Sequence, residues 1–416
     1  MKKTCMKTDV LVIGSGPAGI CAAYAAAKNG AKVIIAEQCG DLGGIATSGL
    51  MSHWTGDCDS PLYREILRRS VAMNDAKQEA PETVIDPENL KTLYLEMMCE
   101  VNVSVMLYTF ACDAISDGNV LKGVSVVNKS GFTDIYADVI IDASGDGDIA
   151  YKCGVEYIKG RESDGKMQPA TIMFKVGGVD YERAVFPGSF ETLVPTQKGE
   201  LQSLAKEKLP YPAGHVLLYK STLPDIVTCN MTNCVEIDGT KAEDLTKATV
   251  VCRKQMKDIE NFLRKYVPGY ENCFIISSAS LIGVRETRHF KGEYILTKDD
   301  ILSARTFDDY VVKGAHFNFD IHNLTGAGLD ETGVQHKFTQ KNGYTIPYRC
   351  LLPEKIENLL LCGRSISGTH MAHSSYRAMP ICAATGEAAG AAAALSVKKG
   401  IPVRSVSAEE IRALIF

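Results

Sequence analysis

Short apolar runs broken by glycine-rich turns mark the amino-terminal part of the chain. Residues 9–13 are apolar after their first position, which is typical of a buried strand. An alanine-rich run at 20–28 has the composition of a helix, and the apolar run 31–36 is typical of a second strand. The order strand, helix, strand predicts a βαβ unit with parallel strands.

The turn between the first strand and the helix follows the pattern G-x-G-x-x-G. Gly14 allows the tight turn, Gly16 allows the backbone to approach a pyrophosphate, and Gly19 allows the helix to pack closely on the strand. Glu37 ends the second strand, where a carboxylate accepts hydrogen bonds from ribose hydroxyls. Because glycines, strands, helix and acid occur in register, the sequence predicts a bound adenine dinucleotide.

The residues after Glu37 favour FAD over NAD. An NAD domain would usually continue into another βα unit, whereas residues 41–49 form a bare glycine-rich loop that contains the pair Gly43-Gly44. Such a loop can lie along an extended cofactor. With this loop the chain resembles the FAD-dependent oxidoreductases of the glutathione-reductase-like fold, in the branch that also holds fumarate reductases and amino-acid oxidases. In those proteins a second glycine pair closely follows the ribose-binding acid.

Later segments extend this resemblance over most of the chain. Residues 139–148 are an apolar strand that runs into a Gly/Asp turn, like the strand that closes the FAD domain in those proteins, and 358–364 are a further strand and turn. The resemblance is weak between about 155 and 275. It implies FAD contacts at Gly14, Gly16, Pro17, Ala18, Gly19, Glu37, Gln38, Gly43, Gly44, Thr47, Ala111, Ala143, Ser144, Gly145, Gly363, Arg364, Met379, Ile381 and Cys382.

A helix is predicted to begin at Pro380, because proline is well tolerated in the first turn, and to run through an alanine-rich stretch to Leu395. Its small residues allow close packing against the βαβ unit. The resemblance implies that the N–H groups near Ile381 and Cys382 point at the N1/C2-carbonyl edge of the flavin. A helix amino terminus there would stabilise negative charge on reduced flavin by roughly 0.3–2 kcal/mol.

These patterns predict an α/β fold with a discontinuous domain plan. A Rossmann-like FAD-binding domain, with a parallel sheet and an antiparallel crossover, is expected from residues 1–153 and 344–416. An inserted α+β substrate or capping domain is expected from residues 154–343. The predicted helices are 61–73, 87–100 and 241–266, and the further predicted strands are 103–115, 123–128, 171–176, 216–220 and 224–231.

Composition narrows the class of protein. Apolar residues make up 45% of the chain and charged residues 23%, and the net charge of −5 gives no reason to expect binding to nucleic acid, including RNA modification. No apolar run reaches the roughly 18–20 residues that span a bilayer. The first residues are charged and lack a hydrophobic signal core, so we expect a cytoplasmic protein without export.

The 14 cysteines are scattered at mostly apolar positions, which is typical of free thiols in a reducing compartment. No C-x-x-C occurs, which argues against a dithiol flavoprotein and an iron–sulfur site. Cys229 and Cys234 have the closest spacing and leave a redox pair or metal site open. Otherwise no cluster of histidine, cysteine and carboxylate has ligand spacing, so we expect no metal.

Two arginines are the first catalytic candidates. The resemblance places the run 284–289 beside the flavin, where Arg285 and Arg288 could orient a substrate carboxylate or stabilise reduced flavin. Strand alternation would put Arg285 and Thr287 on one face, with Glu286 and Arg288 on the other. A structural pair of arginine with glutamate is the alternative.

Histidines supply the other candidates. His370 and His373 precede the proposed flavin-facing helix, and either could take a substrate proton while a hydride passes to flavin N5. Hydrogen bonds that tie this loop together are the alternative. His53 is considered for covalent flavin attachment, but the expected attachment motif is absent, so FAD is expected to be noncovalent.

The sequence therefore predicts an FAD-dependent oxidoreductase that transfers a hydride between a small organic substrate and flavin N5. Oxygen, a quinone or a partner protein would complete the flavin cycle. A noncatalytic or electron-relay flavoprotein subunit is one alternative. A fumarate-reductase-like 2-enoate reductase is another, although it needs an Arg/His clamp and the region 155–280 holds few of either residue.

Overall fold

The computed structural model describes residues 4–74, 84–333 and 343–416. The strands in these ranges are β1 (Thr4–Ile13), β2 (Val33–Ala36), β3 (Ser104–Met106), β4 (Phe110–Asp117), β5 (Val120–Asn128), β6 (Gly131–Asp142), β7 (Tyr157–Lys159), β8 (Phe174–Gly177), β9 (Pro195–Thr196), β10 (Gly199–Glu200), β11 (Leu218–Lys220), β12 (Val227–Cys229), β13 (Phe274–Ser278), β14 (Arg288–Phe290), β15 (Tyr310–Ala315), β16 (Tyr344–Pro347) and β17 (Leu359–Leu361). The α-helices are α1 (Pro17–Lys28), α2 (Pro61–Ala72), α3 (Pro87–Glu100), α4 (Asp148–Lys152), α5 (Leu201–Lys208), α6 (Ala242–Tyr266), α7 (Lys298–Leu302), α8 (His370–Tyr376), α9 (Met379–Lys399) and α10 (Ala408–Ile415).

A parallel sheet in the order β3-β2-β1-β6-β17 forms the centre of the fold. In its register Asp142, the last residue of β6, lies between Ile13 of β1 and Leu361 of β17. The first half of β6 pairs parallel with β1 and also antiparallel with β5, and β5 pairs antiparallel with β4. The predicted α/β class, the βαβ unit and the antiparallel crossover are confirmed.

Helices α1 and α9 approach each other through glycine. A Cβ atom added to Gly386 would lie 2.0 Å from the carbonyl oxygen of Ala18, and one added to Gly390 would lie 2.2 Å from that of Ala22. On the other side of α1, a Cβ on Gly19 would lie 1.9 Å from the carbonyl oxygen of Gly14. The backbones therefore touch directly, as the small residues of both helices predicted.

Helix α9 is longer than the predicted alanine-rich run and is a core helix. Among the described residues it is the one helix long and apolar enough to cross a bilayer, but its apolar window is 94% buried inside the protein. Its neighbours are α1, α2, α10 and β15.

Buried apolar side chains form two clusters. The first cluster combines residues of β1, α1, β2, α3, β6, β17 and α9. Side chains from residues 290–346 also belong to it, such as Phe290, Phe319 and Ile346. The second lies almost wholly within residues 170–279, where α5 and α6 accompany a four-stranded sheet in the order β11-β12-β8-β13. The strands of this sheet are shorter than the sequence predicted. Residues 290–321 contribute apolar side chains to the first cluster rather than to the second.

Replacing Gly386 with alanine should lower the free energy of unfolding, although alanine usually favours a helix by about 1 kcal/mol over glycine. The new Cβ would collide with backbone of α1, so we expect a loss of about 1–3 kcal/mol in urea or thermal unfolding. Gly400 is the control, because a Cβ there meets no atom of the described chain within 4 Å and only its φ of +63° is unfavourable. Equal losses at both positions, or a gain at Gly386, would contradict the collision.

Candidate active site

The two glycine loops meet at the start of α1. A Cβ on Gly16 would meet no described atom within 4 Å, so the space beside this residue is open. A Cβ on Gly44 would lie 3.2 Å from the Cα of Gly16, and the N–H of Gly43 donates to the carbonyl of Ser15 at 2.8 Å. Among the described residues no side chain caps α1. Open space, uncapped N–H groups and the helix dipole fit a pyrophosphate.

Glu37 lies at the end of β2, as predicted. One carboxylate oxygen accepts from the backbone N–H and the hydroxyl of Ser15, at 2.8 and 2.7 Å, and the other accepts from the N–H of Cys39 at 2.8 Å. These bonds hold the acid beside the first glycine loop. The residues present therefore fit the ribose and pyrophosphate of FAD, although Gln38 next to the acid is exposed.

Asp142 is a buried residue that sequence reasoning did not single out. Its carboxylate accepts from the N–H and hydroxyl of Ser144 and from the N–H groups of Ile149 and Ala150, at 2.7–3.1 Å. Burial raises the pKa of the Asp142 carboxyl, and the hydrogen bonds from Ser144, Ile149 and Ala150 partly offset this increase. Ser144, predicted to contact FAD, thus serves the turn that starts α4. Ala143 lies against Gly14, because a Cβ on Gly14 would be 2.5 Å from the Ala143 carbonyl oxygen.

The carboxyl-terminal turn joins the same edge of the sheet. A Cβ on Gly363 would be 3.1 Å from the Cβ of Ala18, and its N–H donates to the hydroxyl of Thr385 at 2.9 Å. Arg364 donates to the Asp146 carboxylate at 2.8 Å and to the carbonyl of Val284. The predicted residues Gly14, Gly16, Ala18, Gly43, Gly44, Ala143, Gly145, Gly363 and Arg364 are therefore brought together.

Other predicted FAD residues have less open environments. The Thr47 hydroxyl donates to the carbonyl of Leu42 at 2.6 Å, so it holds the glycine-rich loop itself. Ala111 lies in β4, paired with Val126 of β5. The N–H of Cys382 donates within α9 to Ala378 at 2.9 Å. The N–H of Cys382 is therefore already paired. The N–H of Ile381, the other donor expected to face the flavin, lies in the first turn of α9, which no described side chain caps.

Arg285 enters a buried polar chamber, which we call the arginine chamber and define by Gln168, His215, Arg285, Asp320, His322 and Arg377. Arg285 is 8% exposed and donates to the carbonyl of Pro169 at 2.6 Å. Arg377 donates to the Asp320 carboxylate at 2.7 Å, and that carboxylate faces Nε2 of His322 at 3.5 Å. Two guanidinium groups therefore share one chamber with one carboxylate.

Electrostatics in the arginine chamber favour an additional negative charge. Burial, reinforced by Arg377, lowers the pKa of Arg285 to about 10, which leaves it charged at neutral pH. Burial and the neighbouring cations lower the pKa of His322 to about 4 and that of His215 to about 3, so both rings are neutral. Burial opposes ionisation of Asp320, but His322 and Arg377 hold its pKa well below the usual range.

Polar atoms in the arginine chamber lack partners within the described part of the chain. These are Nε2 of Gln168, Nε of Arg377 and Nδ1 of His215. The Nε2 of His215 lies 3.0 Å from the carbonyl of Asn230, to which it donates, so Nδ1 is left as an acceptor. Buried polar atoms are normally paired, so these three atoms mark a place where a polar ligand could bind.

Glu286 turns away from the arginine chamber into a second cluster, the histidine cluster of Glu286, His289, His370 and His373. Glu286 is fully buried, and one of its oxygens accepts from Nε2 of His289 at 2.8 Å and from Nδ1 of His370 at 2.5 Å. The ring of His373 meets that of His289 edge-on, with centroids 4.7 Å apart. The predicted loop around His370 is wrong, since both histidines lie on α8.

Arg288 lies apart from Arg285. It donates to the Asp148 carboxylate at 3.0 Å and to the carbonyl of Asp146 at 2.9 Å, and its guanidinium stacks 4.3 Å from the ring centroid of Tyr151. Thr287 also bonds Asp146. The strand alternation expected across 284–289 is wrong, because strand β14 begins only at Arg288.

The environments of His53 and the cysteines are typical of structural residues. The His53 ring stacks on Tyr219 with centroids 4.9 Å apart, and burial lowers its pKa. All 14 cysteines are free thiols, Cys229 and Cys234 included. The residues that sequence reasoning missed are Gln168, His215, Asp320 and His322. Gln168 and His215 lie within the stretch of weak resemblance and Asp320 and His322 lie beyond it, and no local spacing marks any of the four.

Gly16→Val should yield folded protein that does not retain FAD. The space beside Gly16 is open in the protein, so the valine side chain would fit the fold, but it would occupy the space expected for the pyrophosphate. Wild-type protein should carry one FAD that acid precipitation releases. We would measure flavin absorbance per chain and the thermal midpoint of the stripped proteins. A matched Gly19→Val variant should instead fail to fold, because its Cβ would collide with Gly14. A yellow Gly16→Val protein would contradict the placement.

Acid should destabilise the protein through His215. The pKa of His215 is about 3 in the folded chain and 6.5 in the unfolded chain. As the pH falls below about 6.5, the unfolded chain therefore binds a proton at this ring and the folded chain does not. Stability from this group is therefore present above pH 6.5 and is lost toward pH 3. From about 1.4 kcal/mol per pH unit, we expect His215→Gln to recover roughly 3 kcal/mol of the loss at pH 4.

Urea unfolding of His215→Gln and wild type at pH 7 and pH 4 measures this difference. His316→Gln is the control, because that side chain is exposed, and it should follow the wild type. An unchanged acid sensitivity in His215→Gln would contradict a neutral buried ring.

Comparisons with known proteins agree with this geometry. A family model described as FAD dependent oxidoreductase matches residues 9–415. Digeranylgeranylglycerophospholipid reductase 2 of Methanopyrus kandleri is 30% identical over 150 residues, which are 34% of this chain and 38% of that protein. Digeranylgeranylglycerophospholipid reductase 1 of Methanococcoides burtonii is 26% identical over 239 residues, which are 49% and 56% of the two chains. The matches thus span between about two-fifths and just over half of these relatives.

Solved structures share the fold. A geranylgeranyl bacteriochlorophyll reductase-like protein from Thermoplasma acidophilum has a TM-score of 0.52 at 12% identity, over 99% of this chain and 82% of that one. The p-nitrophenol 4-monooxygenase PnpA of Pseudomonas putida has a TM-score of 0.51 at 10% identity, over 99% and 84%. The chain belongs to the FAD-dependent oxidoreductase family.

Proposed function

We propose that this enzyme exchanges a hydride between noncovalently bound FAD and a small organic acid held in the arginine chamber. The observation that carries the proposal is the buried surplus of positive charge and unpaired donors around Arg285, Arg377 and Gln168. A carboxylate accepts from guanidinium and amide donors and would balance the second arginine. The nearby acceptor, Nδ1 of His215, suits a hydroxyl or amino group on the same molecule.

When bound, FAD supplies acceptance and return of a hydride. The residues assigned to hold it are the convergent glycines, Glu37, and the turn at 363–364, with Ile381 contributing the positive end of α9. His370 and His373 are the proposed proton-handling groups of the site. His53 is not a proposed attachment point, because its ring is stacked on Tyr219.

Arg288 is proposed to be structural, since its guanidinium is bound by Asp148 and covered by Tyr151. We retain the glutathione-reductase-like placement and the division at 153 and 344 as proposals. The apolar clusters support an inserted unit whose own core lies almost wholly within 170–279. The flavin cycle would be closed by oxygen, a quinone or a partner protein, in the cytoplasm.

The names of the relatives refer to reductases of a polyprenyl phospholipid. The matches span only 38% and 56% of the length of these relatives. We therefore carry over from these relatives the flavin redox chemistry and not the substrate.

A fumarate-reductase-like activity is favoured more by the geometry than by the sequence. Arginine and histidine are scarce in residues 155–280, and this scarcity disfavours a fumarate-reductase-like enzyme at the level of sequence. The arginine chamber draws its cations from Arg285 and Arg377, which lie outside that range. These two arginines could form the clamp that such a reductase needs, and reduction of an unsaturated acid is the second candidate for the same chamber.

Replacing Arg285 with glutamine should leave FAD binding intact and slow the reaction with an organic acid roughly tenfold to a hundredfold, from about 1.5–3 kcal/mol for a charge-assisted contact. The measurement is an anaerobic screen of hydroxy and amino acids for bleaching of oxidised flavin, and of unsaturated acids for reoxidation of reduced flavin. The first activity found is then compared between variant and wild type.

Arg288→Gln is the matched control, because it removes a neighbouring buried arginine that lies outside the arginine chamber. It should lower the thermal midpoint with less effect on the rate. If both variants lose only stability, or if neutral molecules react and organic acids do not, the proposed substrate class is wrong.

A further inference from the structure

The histidine cluster gathers three ligand atoms at one point. A carboxylate oxygen of Glu286, Nε2 of His289 and Nδ1 of His370 all lie within 4.8 Å of one another, and all three residues are buried. Among the described residues no other group of histidine, cysteine and carboxylate side chains meets this condition. The set lies outside the arginine chamber, and the backbone N–H of Gln168 donates to Glu286 between the two clusters.

The local backbone fixes this arrangement. Glu286 and His289 are three residues apart at the entry to β14, and His370 is the first residue of α8. The second oxygen of Glu286 accepts from the N–H of Gln168 at 3.1 Å, and the N–H of His370 donates to the Glu162 carboxylate at 2.7 Å. Two of the three ligands thus lie on β14 and α8, and the hydrogen bond from the N–H of Gln168 holds Glu286 in the irregular segment before β14.

We propose that Glu286, His289 and His370 bind a divalent transition-metal ion, of the class of Zn²⁺, Co²⁺ or Fe²⁺. Two imidazoles and one carboxylate are the ligand types that such ions prefer, whereas Mg²⁺ and Ca²⁺ favour oxygen alone. Three protein ligands leave a position open for water or a small molecule. The cation would also balance the buried negative charge of the glutamate.

The distances require only a small adjustment. The carboxylate oxygen lies 2.8 Å from one imidazole nitrogen and 2.5 Å from the other. Metal–ligand bonds of about 2.0 Å at tetrahedral angles set ligand atoms roughly 3.3 Å apart, so each imidazole would withdraw by less than about 1 Å. The edge-on His373 ring would then close one side of the site. With His370 held as a ligand, His373 would be the proton-handling group left to the proposed function.

Metal analysis of the holoenzyme tests this proposal without any substrate. Protein purified without chelators or a metal-affinity tag is analysed by inductively coupled plasma mass spectrometry. It is then dialysed against a mild chelator and titrated with Co²⁺, whose d–d absorption lies beyond the flavin band. We expect about one metal ion per chain and a saturable cobalt spectrum with a stoichiometry of one.

Glu286→Gln and His289→Gln should each weaken cobalt binding more than tenfold while leaving the flavin content unchanged. His215→Gln is the matched control, since it removes a buried histidine of the arginine chamber, and it should bind cobalt as the wild type does. Should both cluster variants fail to fold, the wild-type stoichiometry still decides. Wild-type protein that neither contains nor takes up metal, or cluster variants that keep full affinity, would overturn the proposal. Neither result bears on the substrate proposed for the arginine chamber.

Discussion

Direct backbone contact of α1 with the turn after β1 and with α9 is the constraint on which the site depends. Gly19, Gly386 and Gly390 permit separations that no side chain would allow. Because α9 follows α8 after a turn of two residues, docking α9 on α1 also fixes Arg377 and the histidines of α8 relative to the glycine loops. One packing contact thus sets the cofactor cradle and the chemistry-bearing helix in register.

Residues 285–288 show how burial sorts side chains into separate environments. Arg285 enters the arginine chamber, Glu286 joins the histidine cluster, and Thr287 and Arg288 bind the turn at 146–148. Each buried polar group has found a counter-charge or a hydrogen bond, as the cost of burying charge requires. A regular strand would place Arg285 and Thr287 on one side. The irregular backbone before β14 allows these two side chains to enter different environments.

The cofactor half of the fold could be predicted from sequence because its signals are local. A glycine pattern, an acid at a fixed distance and a proline-started helix each depend on neighbouring residues, and the βαβ unit and α9 formed where expected. The arginine chamber could not be predicted, because Gln168, His215 and His322 come from distant segments with no shared spacing. The convergence of Glu286 with His370 likewise depends on the packing of α8 against β14 and not on either segment alone.

Gln168 connects the two buried clusters and explains how they can respond to each other. Its backbone N–H binds Glu286, and its side-chain oxygen accepts from the N–H of His322 at 3.1 Å. Its amide nitrogen has no partner among the described residues. An anion that engages this nitrogen would hold the side chain and, through it, the backbone that fixes the glutamate. A change of charge at Glu286 would act on the same residue from the other side. If an organic acid occupies the arginine chamber as proposed, Gln168 is the residue through which it would act on Glu286.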